Sequence, residues 1–259
     1  MTAEKPPIAL GWRVFGLGVI AMGAVGWALG NFLPGQPAPK DLPDRTVLAY
    51  AAAAFMIVAG AALQWRRAAA WASGAITAYF AVIVVGLMEV GVVLRHPAEY
   101  GAYSGIAEQL AIAAGGLIVF ARFARIEPAR AARLVRVGQA AFGICAVVFG
   151  IAHFVYMNMT APIVPKWLPP GGVFWGYATG AFHIAGGVAI LTRIKDRLAA
   201  ILLTVMYAAF TPLVHVPLFL SDPANRYFWS ENATNLVLVG VAWVVADSLA
   251  RPRRVSSRR

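Results

Sequence analysis

The chain has one cysteine among 259 residues, and only 13% of its residues are charged. A lone Cys145 can form no disulfide within the chain and no CxxC pair, so intrachain dithiol chemistry is excluded. It reads instead as a small buried apolar side chain. Soluble proteins carry about 25% charged residues, roughly twice the share here. Acidic residues are scarce as well, 11 against 22 basic. No Walker loop, dinucleotide-binding glycine loop or HExxH stands in a soluble context, which leaves no case for hydrolase or nucleotide chemistry.

Long apolar runs are plentiful. Hydrophobic residues make up 60% of the chain, and several runs reach the ~20 residues that cross a bilayer as a helix. Spans are expected near Ile8–Phe32, Thr46–Trp65, Ala69–Leu94, Tyr103–Phe123, Leu134–Met157, Phe174–Leu191, Leu198–Leu220 and Asn232–Leu249. The first is too long for a secretory signal and lacks a convincing cleavage site. Eight spans leave little chain for a soluble domain.

The net charge of +11 is distributed by topology. The N-terminal end, the even-numbered connections and the C-terminal tail hold 17 of the 22 basic residues, and the other side holds Lys40, Arg45, Arg95, Lys166 and Arg226. The positive-inside rule then puts both termini in the cytoplasm of a bacterial-type inner membrane. No basic patch interleaved with base-contacting groups is present, so nucleic acid is not an expected partner. Seven tryptophans, among them Trp65, Trp71, Trp167 and Trp175, fall near span ends, as an interfacial belt does.

An internal repeat runs through the spans. "YAAAAFMIVAGAALQWRR" from Tyr50 aligns with "YATGAFHIAGGVAILTRI" from Tyr177, matching Phe55 to Phe182 and Gly60 to Gly187. Upstream, Asn31–Phe32 aligns with His153–Phe154, and downstream Glu108 aligns with Glu231. Each unit has an even number of spans, so the two copies are parallel. The expected fold is an all-α integral membrane protein of eight transmembrane helices. It forms two tandem four-helix bundles, residues 1–126 and 127–259, packed closely through small residues.

The second unit resembles the DoxX family of four-helix membrane proteins. The resemblance rests on "GxxHF" at Gly150–Phe154, "VPxWLP" at Val164–Pro169, "TGxxxxxGGxAIL" at Thr179–Leu191, the basic turn that follows, and Glu231. The first unit is similar in degenerate form, keeping Asn31–Phe32, Leu42–Pro43, Gly60, Arg66–Arg67 and Glu108 without the histidines. Resemblance to this family implies a four-helix unit attached to membrane redox complexes such as the thiosulfate:quinone oxidoreductase system, with redox partner subunits. The chain departs from a common family pattern at His183, where many relatives carry an acid.

Ionisable groups inside a bilayer mark a site or a pairing. His153 and His215 fall near the outer ends of their spans, His183 near mid-bilayer, and Glu231 at the start of the last span. Thr204, Tyr207, Thr211 and His215 recur at three or four residues on one face, and Thr179 and His183 on another. The expected convergence is an outward-facing polar pocket holding His153, Tyr177, Thr179, His183, Tyr207, Thr211, His215 and Glu231, beside the "VPKWLPPGG" loop. Each threonine could equally bond its own helix backbone. Glu89 and Glu108 fit pairing with Arg95 or helix capping.

Three functions are compatible with these residues. A quinone or similar amphipath needs an apolar slot with a histidine and an acid or tyrosine at its head, and His183 with Glu231 or His215 would supply them. Metal or haem would use His153, His183 and His215 as ligands. A non-catalytic assembly or chaperone-like protein would use the same groups only to hold helices together. Whether the chain is an enzyme is left open. The redox reading, with a quinone, is the expectation.

Overall fold

The computed structural model describes residues 10–250. The first-span start at Ile8, Lys5 and the arginines of the C-terminal tail lie outside the described residues. Among those described there are helices and connections and no strand. Seven helices are long and apolar enough to cross a membrane, compatible with a multi-pass membrane protein. They are α1 (Gly11–Leu29), α2 (Arg45–Ala62), α3 (Ala69–Arg95), α4 (Tyr100–Phe123), α5 (Pro128–Val155), α7 (Gly172–Thr192) and α8 (Asp196–Ser221). A short α6 (Met157–Ile163) lies between α5 and α7, and α9 (Arg226–Ser248) closes the chain.

The expected span boundaries agree with these helices to within a few residues, except that α5 and α9 each begin six residues earlier and that α6 was not expected as a helix. Helix α5 begins at Pro128, six residues before the apolar run, because local chemistry favours a start there. Pro128 sits in the first turn, where a missing N–H costs nothing, and Glu127 accepts hydrogen bonds from the N–H groups of Ala129 (2.9 Å) and Arg130 (3.1 Å). Helix α6 falls in the expected loop, since "MNMTAPI" is too short to register as a span.

Helices α3 and α8 each contain a π-helical segment, Tyr79–Glu89 in the first and Thr211–His215 in the second. In α8 the cause is visible. Pro212 has no N–H to give to an earlier carbonyl. The side-chain amide of Asn235 on α9 takes over, donating to the Tyr207 carbonyl (3.1 Å) and to Thr211 Oγ1 (2.8 Å). Asn232 likewise donates to the His215 carbonyl (2.9 Å).

Helix α1 packs on α2 and on α9, and α5 packs on α4 and on α7; α3 also packs on α4, α8 on α7 and α9, and α4 on α9. Small residues set these approaches, since lipid gives helices no hydrophobic reason to associate. A Cβ on Gly150 would lie 2.6 Å from the Gly180 carbonyl oxygen, and one on Gly60 would lie 2.7 Å from that of Gly16. Large apolar side chains cover the outside. Trp71, Leu94, Leu87, Val58 and Leu202 are all exposed, and large apolar surfaces of this kind mark contact with a partner or a membrane.

One end of the molecule carries the connections 30–44, 96–99, 156–171 and 222–225, the first and third of them long. The other carries the short connections 63–68, 124–127 and 193–195, with Arg66, Arg67, Arg125, Arg193 and Lys195. These are called the long-loop end and the basic end.

Candidate functional site

A groove of about 730 Å³ runs between α7 and α8, within the size range of small-molecule sites. Its walls are apolar along most of its length, with Phe182 and Ala185 on one side and Leu202, Met206 and Phe210 on the other. The α6 region and Val164, Pro165 and Leu168 of the following connection border its long-loop end. From Leu198 to His215, both on its wall, the groove extends about 26 Å at 1.5 Å per helical residue.

The polar groups sit at the ends. His153, Thr160, Trp175, Thr179 and His215 line the long-loop end, and Lys195 the basic end. Three of the former already have partners. Thr160 Oγ1 donates to the Tyr156 carbonyl (3.1 Å), Thr179 Oγ1 to the Trp175 carbonyl (2.7 Å), and Trp175 Nε1 to the Pro169 carbonyl (2.9 Å). Thr204, for which backbone bonding was one of the expected readings, does the same, its hydroxyl donating to the Ala200 carbonyl (2.7 Å).

The imidazoles are what remain. His153 Nδ1 lies 2.9 Å from the Phe149 carbonyl. A carbonyl can only accept, so Nδ1 carries the proton and Nε2 is left as an acceptor. Neither His153 Nε2 nor any ring nitrogen of His215 has a hydrogen-bond partner among the described residues. One acceptor and one group able to donate or accept therefore stand at the polar end of a long apolar groove.

His183 stands behind His153, and it is only 2% exposed. Its Nδ1–H donates to the Thr179 carbonyl (2.8 Å), which fixes the same tautomer. The two imidazole rings are 4.9 Å apart between centroids, and Tyr207 lies 5.3 Å from His183 on its other side. Phe149 and Phe210 complete the cage at 6.2 and 6.3 Å. The Tyr207 hydroxyl is buried without a partner.

The eight residues expected in one pocket therefore divide. His153, Thr179 and His215 line the groove, and His183 and Tyr207 form the layer behind it. Thr211 turns to Asn235 at the α8–α9 contact. Tyr177 is exposed and stacks on Phe154, 5.4 Å away. Glu231 belongs elsewhere. It bonds the Tyr227 hydroxyl and interacts with Glu108 of α4, because the α4–α9 packing turns that face of α9 away from α7. Glu89 and Glu108 form no ion pair with Arg95, since the only ion pair among the described residues joins His96 and Glu99 (3.2 Å).

The residues present do not fit a metal or haem. Among those described, no three His, Cys, Asp or Glu side chains converge as ligands. The contacting rings of His153 and His183 leave no room for a porphyrin between them.

Residues 142–246, a stretch that contains the whole groove wall, match a family model described as a domain of unknown function (DUF8561). No curated protein and no solved structure matches the chain.

Sequence reasoning missed the groove wall itself. Phe182, Ala185, Leu202 and Met206 carry no signal that separates them from lipid-facing residues. The small residues Ala185, Gly186 and Ala189 of α7 on the groove wall were the one available hint.

Proposed function

We propose that the chain is a DoxX-like integral membrane protein that binds an isoprenoid quinone, or an amphipath of the same build, as a subunit of a membrane redox system. The observation that carries this reading is the groove between α7 and α8, apolar for most of its length, with unpartnered imidazole nitrogens at one end. A quinone head has two carbonyls that accept hydrogen bonds, and its reduced form has two hydroxyls that donate. His153 Nε2 meets a donor, and His215 can meet either. Histidine also exchanges protons near neutral pH. The tail would run along Phe210, Met206 and Leu202 toward Lys195.

The same reading holds the chain to eight spans in two parallel units, residues 1–126 and 127–259, with both termini cytoplasmic and the long-loop end outside. Several features support the repeat. The glycine crossings stand at a constant separation: Gly16 and Gly143, Gly23 and Gly150, Gly60 and Gly187 are each 127 residues apart. The π-helical segment of α8, moved by the same separation, falls inside that of α3. Helix pairings also exchange, α1 on α9 matching α5 on α4. The 23 residues of α9 are long enough to cross as the eighth span.

Trp175 at the rim makes the reading testable. Quinones quench indole fluorescence at short range, so titrating a soluble short-chain ubiquinone analogue into the detergent-purified protein should quench emission saturably. His215→Ala should raise the apparent dissociation constant for the quinone at least tenfold, about 1.4 kcal/mol; His153→Ala, whose lost Nε2 meets only a donor, should do the same for the reduced form, read by competition. Linear, unsaturable quenching that is the same in all three proteins overturns the proposal. If the variants only lose thermal stability, the histidines are structural and the assembly-protein alternative replaces it.

A further inference from the structure

Away from the groove, three carboxylates gather where α4 meets α9 at the long-loop end. Glu108 on α4 interacts with Glu231 on α9 and with Glu89 at the end of the α3 π-segment. Gly105 positions Glu89, for a Cβ there would lie 3.0 Å from both of its carboxylate oxygens. Gly105 is one helical turn before Glu108, so Glu89 is laid against the same face of α4. Gly35 of the 30–44 connection roofs the group. A Cβ on it would meet Gln109 Nε2 at 2.6 Å and Glu108 Oε1 at 2.9 Å.

Among the described residues, none of the three carboxylates has a Lys, Arg or His nitrogen within 4.0 Å. Arg95 and Arg226, the cations nearest in sequence, do not reach them. A carboxylate taken out of water without a compensating charge is unfavourable, and carboxylates held together repel one another.

A second observation is independent of the charges. Five buried side-chain polar atoms among the described residues have no hydrogen-bond partner; one is Gln109 Oε1, on the amide bonded to Glu108, and two more, Ser104 Oγ and Ser230 Oγ, lie on the same stretches of α4 and α9. Gln109 is 0% exposed. Its Nε2 donates to Glu108 Oε1 (2.7 Å), which holds the amide in the cluster with its oxygen unanswered. Ser104 stands one turn before Glu108, and Ser230, 3% exposed, precedes Glu231. Buried polar atoms rarely stay unbonded. What the cluster lacks is a donor that also carries positive charge.

We infer that Glu108 and Glu231, with Glu89 and the Gln109 carbonyl, bind the ammonium group of a small primary amine. An all-oxygen set also suits a hard metal ion, but among the described residues no three His, Cys, Asp or Glu side chains form a group that could hold one. N–H donors reach acceptors at about 2.8 Å, against 2.0–2.6 Å for hard-metal–oxygen bonds, and so span a looser set. Three N–H groups answer two carboxylates and the Gln109 oxygen. Glu108 and Glu231 are partly exposed, which gives entry from the long-loop end.

The test is the thermal stability of the purified full chain in detergent, titrated with methylammonium chloride at constant ionic strength. Sodium, calcium and tetramethylammonium chlorides serve as comparisons. The site predicts a saturable rise of a few degrees with methylammonium, and none with tetramethylammonium, which has the charge without N–H. Glu108→Gln and Glu231→Gln each abolish the rise; Glu89→Gln, at the edge, weakens it and serves if the other two do not fold. His153→Ala keeps it, so failure here is distinct from failure of the quinone reading. An equal response to every salt, a response to sodium or calcium instead, or none at all overturns the proposal.

Discussion

The two halves of the molecule use the same helix crossings but treat the space beside them differently. In the first half, the 30–44 connection folds inward and buries Leu33, Gln36 and Ala38, with Gln36 Nε2 directed at Met56 Sδ (3.7 Å). In the second, none of residues 156–171 is buried; the connection forms α6 and borders the groove. At the 127-residue separation of the glycine crossings, Met56 stands where His183 does, Phe80 where Tyr207 does, and Met88 where His215 does. Met56 is 1% exposed and His183 2%. An apolar side chain fills that position in one half, so packing alone does not call for imidazole in the other.

The largest effect should come from breaking the crossings that both halves share. Gly150→Leu and Gly60→Leu each drive a side chain into a facing backbone and should cost ~3 kcal/mol or more, since backbone must move and overpacking in a core already costs 1–3. Thermal unfolding in detergent should register both as losses of similar size. A large loss in one half and none in the other would break the equivalence.

Filling the groove should separate the halves. Ala185→Trp places an indole between α7 and α8 and should abolish binding of the quinone analogue. Val58→Trp, its counterpart on an exposed face of α2, should leave binding within twofold. Equal loss from both would mean that binding does not depend on the groove.

The mildest and most discriminating change is His183→Met, which copies the first half into the second. Its unfolding temperature should stay within about 3 °C of the parent, corresponding to under ~1 kcal/mol. Binding of the reduced form should fall several-fold because His153 loses the ring packed against it. A collapse in stability would show that the imidazole is structural.

Seven helices long and apolar enough to cross a membrane were legible in the sequence, because hydrocarbon demands long apolar runs. The glycine crossings could be read too, since Gly60 and Gly187 recur in register. The pairing of Asn31 with His153 could not. The glycine separation sets His153 opposite Gly26, while Asn31 lies beyond the end of α1 and accepts a hydrogen bond from Arg45 Nη1. A loop alignment carries no helical register, and there it slipped by five residues. The site was legible only by residue type. The periodicity of α8 placed Thr211 and His215 on one face, but the π-helical turn at Pro212 separates them, sending Thr211 to Asn235 and His215 to the groove. Glu231 shows the other limit. Its own helix says which face it occupies but not which neighbour that face meets, and α4 rather than α7 stands opposite.

The central claim is that the groove holds a long amphipath by its tail and reads the head with His153 and His215. Its most direct test is solvent extraction and mass spectrometry of small molecules that co-purify in mild detergent with the parent chain and with His215→Ala, prepared side by side. The expected result is near-stoichiometric isoprenoid quinone in the parent and at least tenfold less in the variant. Equal quinone in both, or phospholipid alone in both, would contradict it.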